Sequence, residues 1–579
     1  MRNPRLPHVA ALAKKTGRVV AFFVALSSSV VGSFASNSDQ THSESLSGYY
    51  LAARTALIEQ DFKNAGRYFS KALALDPDNF YLQDRAFTMY LADGQIDKCL
   101  ELGKKLLESD PEHFLAGFVQ AVHDVHARQY NAVIGMEDEV STNPLARMTF
   151  ALLKAWAYAG NGNVDAGVKV LQELKGPTWF ELFTDYNIAL MLEHAGESEK
   201  ALPHYAKAYE ADPGALRSMS AYVKALAANG QQKKSLEILD KFEKHVPDHP
   251  SIISLRAHIV SGAMQKPMVG SIDAGVSEAL YGLGAAISRD GEELSAAFLQ
   301  LSVYLEPHFD EANIALAALY EQMGNYERSI DYLSKVSPSS PMKRDAEIQE
   351  ALHLNVIDEL EKSKSKLEAL IKEKPDDVEA YTSLGNVLRS HSKFAEAEAA
   401  YSEGLKLVAE QKEQNWVLLY FRGITRERQD KWDLAENDFR NALEIQPDQP
   451  MVLNYLGYSL VDRGMRFDEA LKMIKKAVRL RPTDGYIVDS LGWVYYRLGR
   501  YDEAVKELER AVALRPHDPL INEHLGDAYW KLGRRLDAGF KWNHARDLDP
   551  EPEDLKRILG KIKNGLSADT TQESAAVGD

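Results

Sequence analysis

The chain has 579 residues, too many for one ordinary globular core. Its 45% hydrophobic and 26% charged residues are the composition of a folded protein and exclude wholesale disorder. A formal charge of −17 argues against nucleic acid as a partner, because phosphate recognition needs clustered, surplus Lys and Arg.

Residues 1–35 read as an export signal. Arg2, Arg5, Lys14, Lys15 and Arg18 form a basic start without acids, and an apolar run (VVAFFVAL, Val19 to Leu26) follows. Ser33-Phe34-Ala35 then gives a small-x-small site, with Ala35 the last residue removed. The reading predicts an exported mature chain of charge −22, periplasmic in a Gram-negative cell; an uncleaved anchor is the alternative. The sole cysteine, Cys99, forbids an intramolecular disulfide and lies far from the apolar run, so no lipid anchor is expected. Residues 36–45 form a polar leader.

From residue 46 onward a period of about 34 residues governs the chain. Pro77 and Pro111 are one period apart, as are Pro213 and Pro247, and Pro307, Pro341 and Pro375. About fifteen helix pairs fit between Gly48 and Pro550. The ladder fails between Pro247 and Pro307, which divides the reading into an N-terminal arm (46–262), a break or hinge (263–275) and a C-terminal arm (276–552). A capping helix (553–567) and a disordered tail (568–579) follow. Cys99 stands in the small-residue column opposite Ala65 and reads as a buried packing thiol.

The C-terminal arm shows the columns most plainly. Gly457, Gly492 and Gly526 mark where the two helices of a pair cross, and Ala470, Ala504 and Ala538 are the matching small residues on the second helix. Tyr205, Phe439 and Trp542 fill the space between units, and Pro482, Pro516 and Pro550 sit in the turns that close them. These positions predict an all-α solenoid, a right-handed superhelix of antiparallel helix pairs. The segment LGWVYYRLGRYDEAVKELERAVALRP (491–516) closely resembles the tetratricopeptide-repeat consensus.

No chemical constellation accompanies the repeats. GxxxxGK[ST], GxSxG, HExxH and CxxC are all missing, so no catalytic residue, metal ligand or cofactor is expected. His123, Asp124 and His126 are close in sequence, but the two histidines lack a third ligand and read as surface histidines. In the tetratricopeptide family the first helices line a concave groove that takes protein or peptide partners. Counted from the Leu-Gly pairs, the inward positions here are Asn386, Arg389, Tyr420, Asn454, Tyr458, Asp489, Trp493, Tyr496, Arg497, Asp527 and Trp530. Aromatic and Arg side chains at such spacing suit a binding surface. An alternative is a sugar cleft on the same aromatics; catalysis there would need paired carboxylates, and Asp489 and Asp527 stand one unit apart with nothing to mark either as an acid.

Residues 450–550 are also similar to proteobacterial envelope proteins, some of them lipoproteins that act as adaptors of a carboxyl-terminal processing protease. That resemblance implies a non-catalytic scaffold for an envelope protease or for an assembly or secretion complex. The missing lipobox cysteine sets this chain apart from the lipoproteins.

Overall fold

The computed structural model describes residues 45–136, 143–287, 291–411 and 414–566. The expected cleavage site at Ala35, the leader up to residue 44 and the tail 568–579 lie outside them. Among the described residues there are helices and turns and no strand, and no helix is long and apolar enough to cross a membrane. The chain falls into two compact units that divide between Lys366 and Leu367, within the helix Leu360–Glu373.

Local sequence sets each helix pair. Asp or Asn stands at many helix starts, where its carboxylate or amide oxygen accepts a backbone N–H; Asp518, for example, accepts from Ile521 N at 2.9 Å. Between the helices of a pair the chain turns through a left-handed residue. Gly499 (φ 73°) and Gly533 (φ 77°) do this without strain, whereas Asp430 (φ 58°) and Arg466 (φ 45°) take the same conformation with a Cβ. Pro482 and Pro516 lie in the turns between pairs, as expected.

The first unit begins as a regular ladder. Six pairs run from Leu46–Ile58 to Gln232–Glu243, and the helix Pro250–Val260 then stands without a second helix. The next pair, Ile272–Ile287 and Glu292–Leu305, turns inward. It packs against the first helices of earlier pairs, Phe80–Ala92, Phe114–His126, Pro144–Gly160 and Phe180–His194. Phe118 and Phe298 meet at 4.7 Å between ring centroids, and the Trp156 ring lies where a side chain on Gly275 would have to go. Gln300 Nε2 donates to the Ala92 carbonyl at 3.3 Å. The concave side of this unit is therefore filled by its own chain.

This corrects the expected hinge. Residues 263–275 do not join two arms; they carry the chain from the edge of the ladder to its inner face, within one unit. Their prolines and glycines interrupt the period because the path leaves the solenoid. Met268 N donates to Glu193 Oε2 at 3.1 Å and Val269 is buried, so the segment is tied down where it crosses.

Charge as well as apolar surface seals the insertion. Arg217 donates through Nε and Nη2 to Glu278 Oε1 and Oε2 at 2.9 and 2.5 Å, and through Nη1 to Glu311. Tyr186 Oη donates to Glu278 at 2.9 Å. Burial disfavours the Arg217 charge, but the two carboxylates outweigh it and raise its pKa well above the ordinary arginine value. His123 and His126 belong to the same seal: they meet Tyr304 Oη at 3.0 Å and Asp273 at 2.8 Å. Cys99 is fully buried against the Phe87 carbonyl, and burial pushes its thiol pKa up.

Candidate functional site

The second unit holds five pairs from Val378–Ser390 to Arg535–Asp547, closed by the helix Pro552–Asn564. At each crossing the expected close approach is present. A Cβ on Gly457, Gly492 or Gly526 would come within 2.7, 2.5 and 2.5 Å of Ile474, Leu508 and Trp542 respectively. Ala470, Ala504 and Ala538 are fully buried beside them. Phe439 packs on Tyr420 of its own pair and Tyr455 of the next, whereas Trp542, expected between units, packs within its own pair on Gly526 and Trp530. The first helices consequently present one aligned face, and the inward columns read from the sequence lie along it.

The columns do not all reach the surface. Tyr420 is buried among Phe421, Phe439 and Tyr455, with centroids 5.2 to 6.1 Å away, so it is packing and not a groove contact. Arg389 is buried too, its guanidinium 4.7 Å from the Phe421 ring and its Nε 3.3 Å from Tyr401 Oη. Asn386 is partly exposed and accepts from Tyr401 Oη at 2.8 Å.

Asp489 and Asp527 are likewise buried and engaged. Asp489 takes His524 Nδ1 at 3.0 Å. Asp527 accepts from Trp542 Nε1 at 2.9 Å and from Lys561 Nζ at 2.6 Å. Burial raises the Asp527 pKa and Lys561 opposes that rise. Neither carboxylate stands open to the groove as an acid or nucleophile for a sugar.

What remains exposed forms an aromatic wall. Trp493 is stacked between Tyr496, at 4.9 Å and 12°, and His524, at 4.2 Å and 19°. Trp530 follows one repeat later, 5.2 Å from Trp542 and capped by Arg535 at 4.2 Å. Trp493, Tyr496, Arg497 and Trp530 are each partly exposed, as are Asn454 and Tyr458 one repeat earlier. Arg497 has Asp462 as its ion-pair partner at 4.0 Å.

His524 was missed by counting from the Leu-Gly pairs, because it lies one position off the inward column. Burial opposes its charge, but Asp489, with Glu523 and Asp527 behind it, raises its pKa above the ordinary value. The imidazole stacks face-on to the Trp493 indole, a contact that becomes a cation–π pair when the ring is protonated. The wall is rigid for a second reason. Glu523, fully buried, is held by Arg557 at 2.6 and 2.7 Å and by Lys561 at 2.7 Å from the closing helix.

Antiparallel helix pairs with a small residue at every crossing define an α-helical repeat scaffold. Tetratricopeptide-repeat models match residues 46–79, 310–337, 359–411 and 422–485, and a TPR-repeat model matches 492–533. The chain thus carries tetratricopeptide repeats in both of its units. A TPR repeat-containing protein of Pseudomonas aeruginosa is 31% identical over 192 residues, 33% of this chain and 32% of that protein; the match thus spans about a third of the relative's length. Among solved structures, the Cut9–Hcn1 hetero-tetramer of the APC/C is similar over 90% of this chain and 97% of its own, at 13% identity and a TM-score of 0.37. Yeast Tom70 is similar over 90% and 95%, at 13% identity and a TM-score of 0.30.

Proposed function

We propose that the chain is an exported, non-catalytic adaptor of the cell envelope that holds a protein or peptide partner in the groove of its second unit. The observation that carries this is the wall of Trp493, Tyr496, His524 and Trp530 on consecutive first helices, with Arg497 at its edge. Rigid aromatic anchors lose little entropy on binding and carry most of the energy at interfaces. The first unit offers no comparable groove, since its concave side is occupied by Ile272–Ile287 and Glu292–Leu305. In this reading the partner is an envelope processing protease or a subunit of an assembly or secretion complex. The basic start, apolar run and Ala35 site support export, and the mature chain begins at Ser36.

The test is crosslinking and capture from an envelope fraction, with wild type, Trp493→Ala and Trp530→Ala as baits. Each substitution should cost about 2 kcal/mol or more of partner affinity and leave the helical circular dichroism unchanged. Equal capture of the same partner by all three would refute the groove. N-terminal sequencing of the native protein checks export: an intact Met1 would sink that part of the reading.

A further inference from the structure

In a helix pair, one side of the first helix lies under the second. In the sixth pair, Met219, Val223 and Leu226 of Leu216–Ala228 are fully buried, and Ser235 Oγ of Gln232–Glu243 donates to the Val223 carbonyl at 2.9 Å. Thirty-four residues later the same columns hold Ile253, Ala257 and Val260 of the helix Pro250–Val260. Apolar character and a small residue at the crossing are kept, but no second helix follows. Ile253 and Val260 are 53% and 61% exposed, and Ala257 between them is exposed as well. The opposite face is in order, with Ile252, Leu255 and Ile259 buried toward the preceding pair.

The closing helix of the second unit shows what these columns hold when they face water. Pro552–Asn564 is also a first helix with no second among the described residues, and its columns carry Lys556, Gly560 and Lys563, all exposed. Lysines flank the crossing there; large aliphatics flank it in Pro250–Val260. That contrast marks the exposed side of Pro250–Val260 as a seat and not as the finish of an array.

Two features specify the occupant. Its shape follows from the second helices of this chain, which set a small, a large and a small residue in fixed spacing: Ala201, Tyr205 and Ala208, or Ala504, Leu508 and Ala511, all buried. Its charge follows from the seat. Between Asp248 and Asp273 the chain has no acid, while His258 and Lys266 are basic and exposed. Arg256 on the same helix is already held by Asp240 and Glu243. Second helices here begin with acids, such as Glu199 ahead of Ala201 and Asp502 with Glu503 ahead of Ala504. Lying antiparallel, such a helix brings its acidic first turn to the end where His258 stands and Lys266 follows.

We propose that the exposed side of Pro250–Val260 receives an amphipathic helix from a partner protein, which stands in the place of the missing second helix and completes the seventh pair. The occupant begins with acidic residues and buries small, large and small residues in the spacing of Ala504, Leu508 and Ala511. The seat lies in the first unit and does not rest on the groove reading.

A stapled, fluorescein-labelled peptide of the sequence Tyr501–Leu514 (YDEAVKELERAVAL) is the probe, because an unstapled helix of that length is marginal in water. Fluorescence anisotropy against the full chain should show saturable, one-to-one binding. The double variant Ile253→Asp, Val260→Lys should weaken it by about tenfold or more, with unchanged circular dichroism because both sites are exposed. Trp493→Ala should bind the peptide as the wild type does, which separates the seat from the groove. No saturable binding by the wild type, or equal binding by the double variant, overturns the proposal. So does loss of binding in Trp493→Ala, which would put the peptide in the groove. A wild-type dimer in sedimentation velocity that the double variant abolishes would make a second copy the occupant and overturn the partner helix.

Discussion

The same substitution, Gly→Ala, should act with opposite sign at two glycines of the second unit. At Gly492 a Cβ would stand 2.5 Å from Leu508 Cγ, 2.8 Å from Leu508 Cδ2 and 3.3 Å from the Ala504 carbonyl oxygen. Ordinary carbon contacts lie at ~3.5–4.0 Å, so Leu508 must retreat by about 1 Å. Leu508 is fully buried, and its retreat disturbs what it packs on. Overpacking of this kind costs about 1–3 kcal/mol, against which alanine's helix propensity returns about 1 kcal/mol. Gly492→Ala should therefore destabilise by up to about 2 kcal/mol. At Gly539 a Cβ meets nothing, and the propensity gain of up to about 1 kcal/mol stands alone. Urea unfolding followed by tryptophan fluorescence suits the comparison, because five of the seven tryptophans lie in the second unit. Repeat arrays need not unfold in two states, so the direction of the midpoint shift is the quantity to read. If Gly492→Ala raises the midpoint as much as Gly539→Ala does, steric closure at the helix crossing is not what the glycine column provides.

The His524–Asp489 pair should make the groove wall respond to pH. The folded imidazole is more basic than an ordinary histidine, whose pKa is about 6.5, so its stabilisation is complete below that value and is lost as pH rises through the folded pKa. The His524 ring titration in nuclear magnetic resonance spectra should have a midpoint above 6.5, and a midpoint below it would refute the assignment. In the first unit, Arg217→Met leaves Glu278 buried without its cation and should cost about 3–5 kcal/mol by chemical denaturation. Glu311→Gln should cost less, because that carboxylate is partly exposed.

The sequence was most informative where contacts are local. Each repeat touches the next, so a column such as Gly457, Gly492 and Gly526 reports a packing event that recurs every period. The insertion of Ile272–Ile287 and Glu292–Leu305 was not legible, because Phe118 meets Phe298 and His123 meets Tyr304 across about 180 residues with no period to announce it. A signal did exist: Ser295–Ser302, more than two turns of the helix Glu292–Leu305, is buried on every side and carries no charged residue, the mark of a helix covered all round. The groove was legible in direction and not in exposure. Asp489, Asp527 and Tyr420 point along the correct column, but His524, Lys561 and Tyr455 come from the next repeat or the closing helix to cover them. Spacing tells which way a side chain faces; it does not tell what arrives from beyond.

The infolded pair also sets an order of events at synthesis. A chain emerges N-terminus first, and the inner face carrying Phe118, Trp156 and Tyr186 is complete well before residue 305 appears. At ~5–20 residues per second, the wait between Trp156 and Leu305 lasts on the order of ten seconds. Through that interval the growing ladder has a hydrophobic trough and no lid. Any machinery that escorts this chain has to shield the trough until the second half of the unit arrives. Truncations ending near 262 would keep that condition permanently, and their insolubility would report the missing helices and not a failure of the repeats themselves.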